Sequence, residues 1–184
     1  MTRFRYFVAS SLDGFIADRH GSLDWLTSRD SAVDGSGENA ANFSEFTGEI
    51  GAVVMGRSTY EFVLGLGDAD WGYTVPAWVL THRALPAAAG HDVRFFAGDV
   101  SDLRDDLIAA AGHRDVWIVG GGDVAAQFAQ RGMLDELLVT VIPIVLGAGA
   151  PLLATRDDID LMLTGCRTQS DGSVFVRYAV ESAT

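Results

Sequence analysis

The sequence predicts an α/β protein with a mostly parallel central sheet and an antiparallel extension towards the C-terminus. Two patterns carry that expectation. Up to about residue 131, short β-branched apolar runs alternate with segments of helical spacing, as crossover connections between parallel strands require. After it, Glu136 to Val145, Asp160 to Thr168 and Ser173 to Val180 read as strands with no helix between them. The 184 residues, 48% hydrophobic and 10% aromatic, suffice for a real core and fit one domain spanning 1–184.

Arg3 to Ser10 is rich in aromatic and β-branched residues and predicts a first strand ending at the Asp13-Gly14 turn signal. The stretch from about Asp18 to Asn42 is the most polar of the chain and predicts a long active-site loop with short helical pieces. Phe43 to Glu49 predicts a short amphipathic helix, and Ala52 to Met55 a second strand broken by Gly56. Ser58 and Thr59 then offer caps for a helix to about Leu64. Beyond a glycine-rich loop come strands at Ala77 to Leu80 and Val93 to Phe96, and a helix from Ser101, read as its N-cap, to Ala111. Val116 to Val119 is the next strand, followed by Gly120, Gly121 and Gly122 and a helix from Asp123 to Arg131.

A formal net charge of -12 opposes nucleic-acid binding, which draws its affinity from neutralised phosphates. Cys166 is the only cysteine, so no intrachain disulfide forms; a buried packing role and a reducing, cytoplasmic setting are expected. The first apolar run is interrupted by Ser10, Ser11 and Asp13, too early for a signal segment or a membrane span. HExxH, GxSxG and Walker patterns are absent, and His20, His82, His91 and His113 lack metal-ligand spacing, so no metal is expected.

The chemistry-bearing pattern is a strand, a glycine and a helix, and it occurs twice. At VVMGRSTYEF, Gly56 opens the turn, Arg57 supplies a cation, and Ser58 and Thr59 supply hydroxyls. At VWIVGGGDVAAQF, the three glycines let phosphates approach backbone N–H groups at a helix N-terminus, although a tight turn alone would also use a glycine. Thr81, His82 and Arg83 end another strand, and in a parallel sheet all three clusters fall on the carboxyl edge. Arg57, His82 and Arg83 converging there would suit an adenosine 2′-phosphate, hence NADP(H) over NAD(H); solvated loop residues are the alternative for His82 and Arg83. Gly120, Gly122 and Ala125 also fit a Rossmann fingerprint, but residues 139–142, VTVI, lack the ribose-binding acid, which argues against that fold.

Together, SLDGFIA (11–17), VVMGRSTYE (53–61), WVLTHR (78–83) and WIVGGGDVAAQF (117–128) resemble the dihydrofolate reductase superfamily. DELLVTVIPIVLGAGAPLL (135–153) is similar to the reductase domain at the C-terminus of bifunctional riboflavin-biosynthesis deaminase-reductases, and to its stand-alone relatives. The resemblance implies a three-layer dihydrofolate reductase-like fold and NADPH as cofactor. It places Ala9 and Ile16 at the nicotinamide, Gly56, Arg57, Ser58 and Thr59 at the phosphates, and Thr81, His82 and Arg83 at the 2′-phosphate. Gly120, Gly121 and Gly122 match a glycine pair that commonly carries a cis peptide, with Asp123, Val124, Ala125 and Gln127 along the cofactor on the following helix. Asp123 stands where some dihydrofolate reductases carry a basic residue, and Ala125 where an aromatic often sits.

Trp25 and Asp30, in WLTSRD, share the spacing of a family Trp and catalytic Asp. Trp25 and Asp30 by that match, together with Thr140, are the candidates to face the substrate, with Asp30 either the proton donor or a plain loop aspartate. The implied activity is hydride transfer to a C=N or C=O group of a small pyrimidine- or pterin-like heterocycle. A nucleotide-binding protein of the same fold without efficient turnover, or a true dihydrofolate reductase, are the other readings. Relatives imply a homodimer through the late strands and the PIVLGAGAP loop.

Overall fold

The computed structural model describes residues 1–28, 38–67 and 71–181. In chain order the elements are β1 (Phe4–Ser11), β2 (Phe15–Asp18), α1 (Asp24–Thr27), α2 (Glu38–Gly48), β3 (Ile50–Gly56), α3 (Arg57–Leu66), β4 (Ala77–Leu80) and β5 (Val93–Phe96). A 3-10 turn at Val100–Leu103 leads into α4 (Arg104–Ala111), then β6 (Asp115–Gly120), α5 (Gly122–Gln130), β7 (Glu136–Ile142), β8 (Gly149–Pro151), β9 (Leu161–Thr168) and β10 (Val174–Val180). Eight strands form one sheet in the order β5-β4-β3-β6-β1-β7-β10-β9, while β2 and β8 pair separately. Every pairing from β5 to β7 is parallel; β10 runs antiparallel to β7, and β9 antiparallel to β10.

Side chains alternate across the sheet and create two apolar layers. On one face Phe4 and Tyr6 of β1 pack with Ile118, Leu107 of α4 and Val124, Ala125 and Phe128 of α5. On the other, Phe7 packs with Trp117, Leu138, Phe46 of α2 and Tyr60 and Val63 of α3. Helices therefore cover both faces, and α3 and α5 approach the same sheet edge from opposite sides.

Several expectations shift. Gly56, not Ser58 or Thr59, is the N-cap of α3, so both hydroxyl residues lie inside its first turn. Asp99 replaces Ser101 as the cap of the turn before α4, accepting from the Ser101 amide at 3.0 Å. β7 stops at Ile142 because Pro143 has no N–H to continue the ladder. Cys166 is exposed rather than buried, since β9 is an edge strand whose residues are nearly all exposed. The β2–β8 ribbon was hidden by its length: strands of four and three residues leave little periodicity to read. No helix among the described residues is long and apolar enough to cross a membrane.

Candidate cofactor site

β3 and β6 are neighbours, and both end in glycine at the carboxyl edge of the sheet. Gly56 caps α3 and Gly121 caps α5, each in an extended backbone conformation and neither with a side-chain cap hydrogen bond. The first-turn N–H groups of both helices thus keep no side-chain acceptor, and the helix dipoles add about half a positive charge at each end. Gly120 has φ +146°, open to glycine, and the Gly120–Gly121 peptide is cis, as the resemblance implied.

Around these ends lies a cavity of about 360 Å³. It brings together Ile16, Gly56, Arg57, Ser58, Thr59, Thr81, His82, Gly121, Gly122, Asp123, Val124 and Gln127 of the residues singled out in the sequence. Val124 is held close: its Cγ2 lies 3.1 Å from where a Gly56 Cβ would stand. The Gln127 side chain donates to the Asp123 carbonyl at 3.3 Å. Arg57 is engaged by Glu61 one turn on, with Nη1 3.2 and 3.1 Å from the two carboxylate oxygens. Thr81 Oγ1 accepts the Arg83 amide at 3.0 Å, which shapes the turn, while the exposed Arg83 side chain does not line the cavity.

Ala125 does not line the cavity either. It is fully buried in the core beneath α5, because helical spacing turns it to the sheet while Asp123 and Gln127 turn outward. Gly120 and Ala9 also lie outside the lining. Ala9 sits where β1 and β6 part: their pairing stops at Tyr6–Ile118, while β1 stays paired with β7 to Ser11–Ile142. The Trp117 indole N–H donates to the Phe7 carbonyl at 3.2 Å just before the parting.

Ala9 pairs with Thr140, and Thr140 pairs with Phe175, so the three share the face that carries Phe7 and Leu138. Thr140 is 7% exposed. Trp25 lies in α1, half-buried, and Asp30 lies outside the described residues. On this same face a second cavity of about 670 Å³ lies between α2 and α3, lined by Phe43, Phe62, Trp71, Tyr73 and Trp117 with Arg114. No group of His, Cys, Asp or Glu that could hold a metal occurs among the described residues.

Sequence reasoning missed two parts of the cofactor cavity. Phe96, Ala97 and Gly98 line it because β5 runs parallel beside β4 and ends at the same edge, a signal present in the strand assignment itself. Ala150 and Pro151 line it through β8, which no periodicity announced.

Residues 68–176 match the family model for the RibD C-terminal domain. The chain belongs to that family. YwjB of Bacillus subtilis (strain 168), itself uncharacterized, is 34% identical over 146 residues, covering 79% of each chain. The riboflavin biosynthesis protein RibD of Corynebacterium ammoniagenes is 28% identical, with 79% of this chain matching 44% of that longer protein. Among solved structures, a Shewanella sp. PV-4 protein provisionally assigned to riboflavin biosynthesis superposes with a TM-score of 0.82 at 30% identity, covering 98% of this chain and all of that one. Dihydrofolate reductase from Enterococcus faecalis superposes at 0.60 with 17% identity, covering 98% of this chain and 97% of its own, a likeness of fold alone. The family thus has the dihydrofolate reductase-like architecture that the sequence motifs implied.

Proposed function

We propose that this protein is an NADPH-dependent reductase acting on a C=N or C=O group of a small pyrimidine- or pterin-like heterocycle. One observation carries the reading: two glycine-capped helix N-termini, from opposite faces of the sheet, meet Thr81 and His82 around a single cavity at the carboxyl edge. That donor set fits a nucleotide diphosphate, because unmet backbone N–H groups and helix dipoles favour anions. Gly121 and Gly122 keep side chains off the backbone there, Arg57 supplies the side-chain positive charge an acidic protein must concentrate at such a site, and His82 adds ring N–H hydrogen-bonding capacity.

Bound NADPH would supply a hydride, and the protein's part is placement. Ser58, Thr59 and the α5 N-terminus would hold the phosphates, Thr81 and His82 the adenosine end, and Ile16 the nicotinamide end. Ala9, where β1 and β6 part, would join Ile16 at the nicotinamide, with Trp25, Asp30 and Thr140 on the side of the acceptor heterocycle and Asp30 its proton donor. Titration with NADPH and NADH, followed by oxidation assays against pterins, ribosylamino-pyrimidines and simple carbonyls, tests the reading. Failure to bind NADPH would sink it; tight binding with no turnover on any substrate would favour a nucleotide-binding protein of this fold.

The aromatic cavity between α2 and α3 favours a second reading, reduction of dihydrofolate. It offers room for an extended aryl tail, with Arg114, which pairs with no carboxylate among the described residues, placed to meet an anion. Turnover of dihydrofolate lost on Arg114→Ala would support that reading over compact substrates.

A homodimer through β9 is part of the same proposal. Leu161, Met162 and Leu163 are 39%, 52% and 55% exposed on an edge strand, a surface that proteins seldom leave bare. A monomeric mass by light scattering at micromolar concentration would remove it.

A further inference from the structure

One carboxylate ties the turn after β1 to the segment ahead of β8. Asp13 Oδ1 accepts the Leu146 amide at 3.0 Å and the Ser11 hydroxyl at 2.7 Å, and Oδ2 accepts the Gly147 amide at 2.7 Å. Ser11 Oγ accepts the Phe15 amide at 3.0 Å, so the end of β1, the start of β2 and the approach to β8 meet at two side chains. Backbone bonds frame the knot, from the Leu12 amide to the Ile144 carbonyl and from the Leu152 amide to the Gly14 carbonyl, both 2.8 Å.

Asp13 and Leu12 are exposed, so the knot does not serve to bury apolar surface. What it secures is the ribbon beyond it. β2 and β8 pair so closely that a Cβ on Gly149 would stand 1.9 Å from the Ala17 carbonyl oxygen. The ribbon in turn abuts α5, where a Cβ on Gly122 would stand 2.1 Å from the Pro151 carbonyl oxygen. Ile16, Ala150 and Pro151 of this ribbon line the cavity beside Gly121, and the ribbon follows β1, which β3 and β6 separate from the β4 end that carries Thr81 and His82. Hydrogen bonds to an ionised carboxylate are the stronger class, and these hold Asp13 below the usual carboxylate range.

We propose that Asp13 is a positioning residue for the cofactor: it fixes the β2–β8 ribbon as a wall over the nicotinamide end of the cavity and leaves the adenosine end independent. The inference rests on the NADPH reading. A wall held in place before binding spares the ligand the cost of ordering it, so releasing the wall weakens only ligands that reach it.

The test compares NADPH with 2′,5′-ADP, which carries the phosphorylated adenosine but no nicotinamide, on the full chain by calorimetry. Asp13→Ala and, from the other strand, Gly149→Ala are each expected to weaken NADPH by about tenfold while 2′,5′-ADP stays within about twofold. Asp13→Asn keeps one carbonyl acceptor but sets its amide against a backbone N–H, so it should fall between wild type and Asp13→Ala; it decides the matter should Asp13→Ala not fold. Unchanged NADPH affinity in the Asp13 variants, or equal weakening of both ligands, would overturn the positioning role. Wild-type protein that binds neither ligand would instead overturn the NADPH reading, and this inference with it.

Discussion

Arg5 on β1 and Glu136 on β7 are paired across the sheet, with Nε 2.5 Å from Oε2 and Arg5 only 2% exposed. Arg5 also meets Glu49 and Asp115, while Arg177 reaches the other oxygen of Glu136 at 2.9 Å. The cluster closes the end of the sheet opposite the cofactor cavity. Removing the buried guanidinium strands carboxylates that it neutralises, so Arg5→Met should cost about 3–5 kcal/mol. Arg5→Met with Glu136→Leu removes one of the two buried carboxylates as well and should recover much of that loss, since Asp115 keeps Arg3, Glu49 is half exposed and the 38%-exposed Arg177 can turn to water. Urea unfolding of the three proteins checks this; a single-variant cost below about 1 kcal/mol would show that the cluster contributes little.

Gly122 and Gly121 should respond differently to one added methyl. At Gly122 the Cβ would meet backbone, 2.1 Å from the Pro151 carbonyl oxygen and 2.8 Å from that of Leu152, which no side-chain rotation relieves. Gly122→Ala should therefore cost about 1–3 kcal/mol and weaken NADPH. At Gly121 the nearest atom is Ile16 Cδ1 at 3.8 Å, and φ is -81°. Gly121→Ala should keep its melting temperature near wild type yet weaken NADPH, because the methyl occupies cavity space. Melting curves alongside cofactor titration separate the two; equal thermal losses would show that the crowding at Gly122 is relieved by small backbone shifts.

Legibility in the sequence followed the length of each signal. The run of Val116 to Gly122 announced both a buried strand and a helix start, and the structure has both within a residue. The parallel order of β3, β4 and β6 brought three separated clusters to one edge, as strand direction requires. Ala125 was misplaced because a motif position carries no direction, whereas the helix turns it into the core. The contribution of Ala150 and Pro151 depends on a ribbon pairing across more than a hundred residues, which local pattern cannot encode. Thr140 could be placed on a strand, but its face becomes definite only from its pairing with Ala9 and Phe175. Asp30 lies outside the described residues, so its part in proton transfer is what the resemblance alone implies.

Tyr6 is fully buried among Ile118, Val54 and Leu137, and its hydroxyl has no hydrogen-bond partner among the described residues. An unmet buried hydroxyl costs about 1–3 kcal/mol, while the ring's packing survives its removal. Tyr6→Phe should thus leave stability unchanged or raise it by about 1 kcal/mol. Burial pushes the Tyr6 phenol up and that of Tyr73 up to about 12. A phenol raised in the folded state holds its proton while the unfolded one ionises, so stability is fully present below pH 10 and falls as pH climbs from there towards 12. Tyr6→Phe should flatten that alkaline loss; a variant destabilised by more than about 1 kcal/mol would mean the hydroxyl has a partner.

Glu61 competes with any bound anion for Arg57. The pair is one helical turn apart, both side chains are partly exposed at 37% and 45%, and such pairs contribute only about 0.3–0.5 kcal/mol. A phosphate at the α3 N-terminus would offer the guanidinium a more highly charged partner next to the helix dipole. Glu61→Gln removes the competing charge and lowers the negative potential at the cavity mouth, so NADPH affinity should rise about two- to fivefold at low salt and the gain should shrink as salt is added. Arg57→Ala should reduce affinity and leave it less dependent on salt. If Glu61→Gln weakened binding instead, Glu61 would be holding Arg57 in its binding orientation rather than competing for it, and titrations across ionic strength distinguish these outcomes.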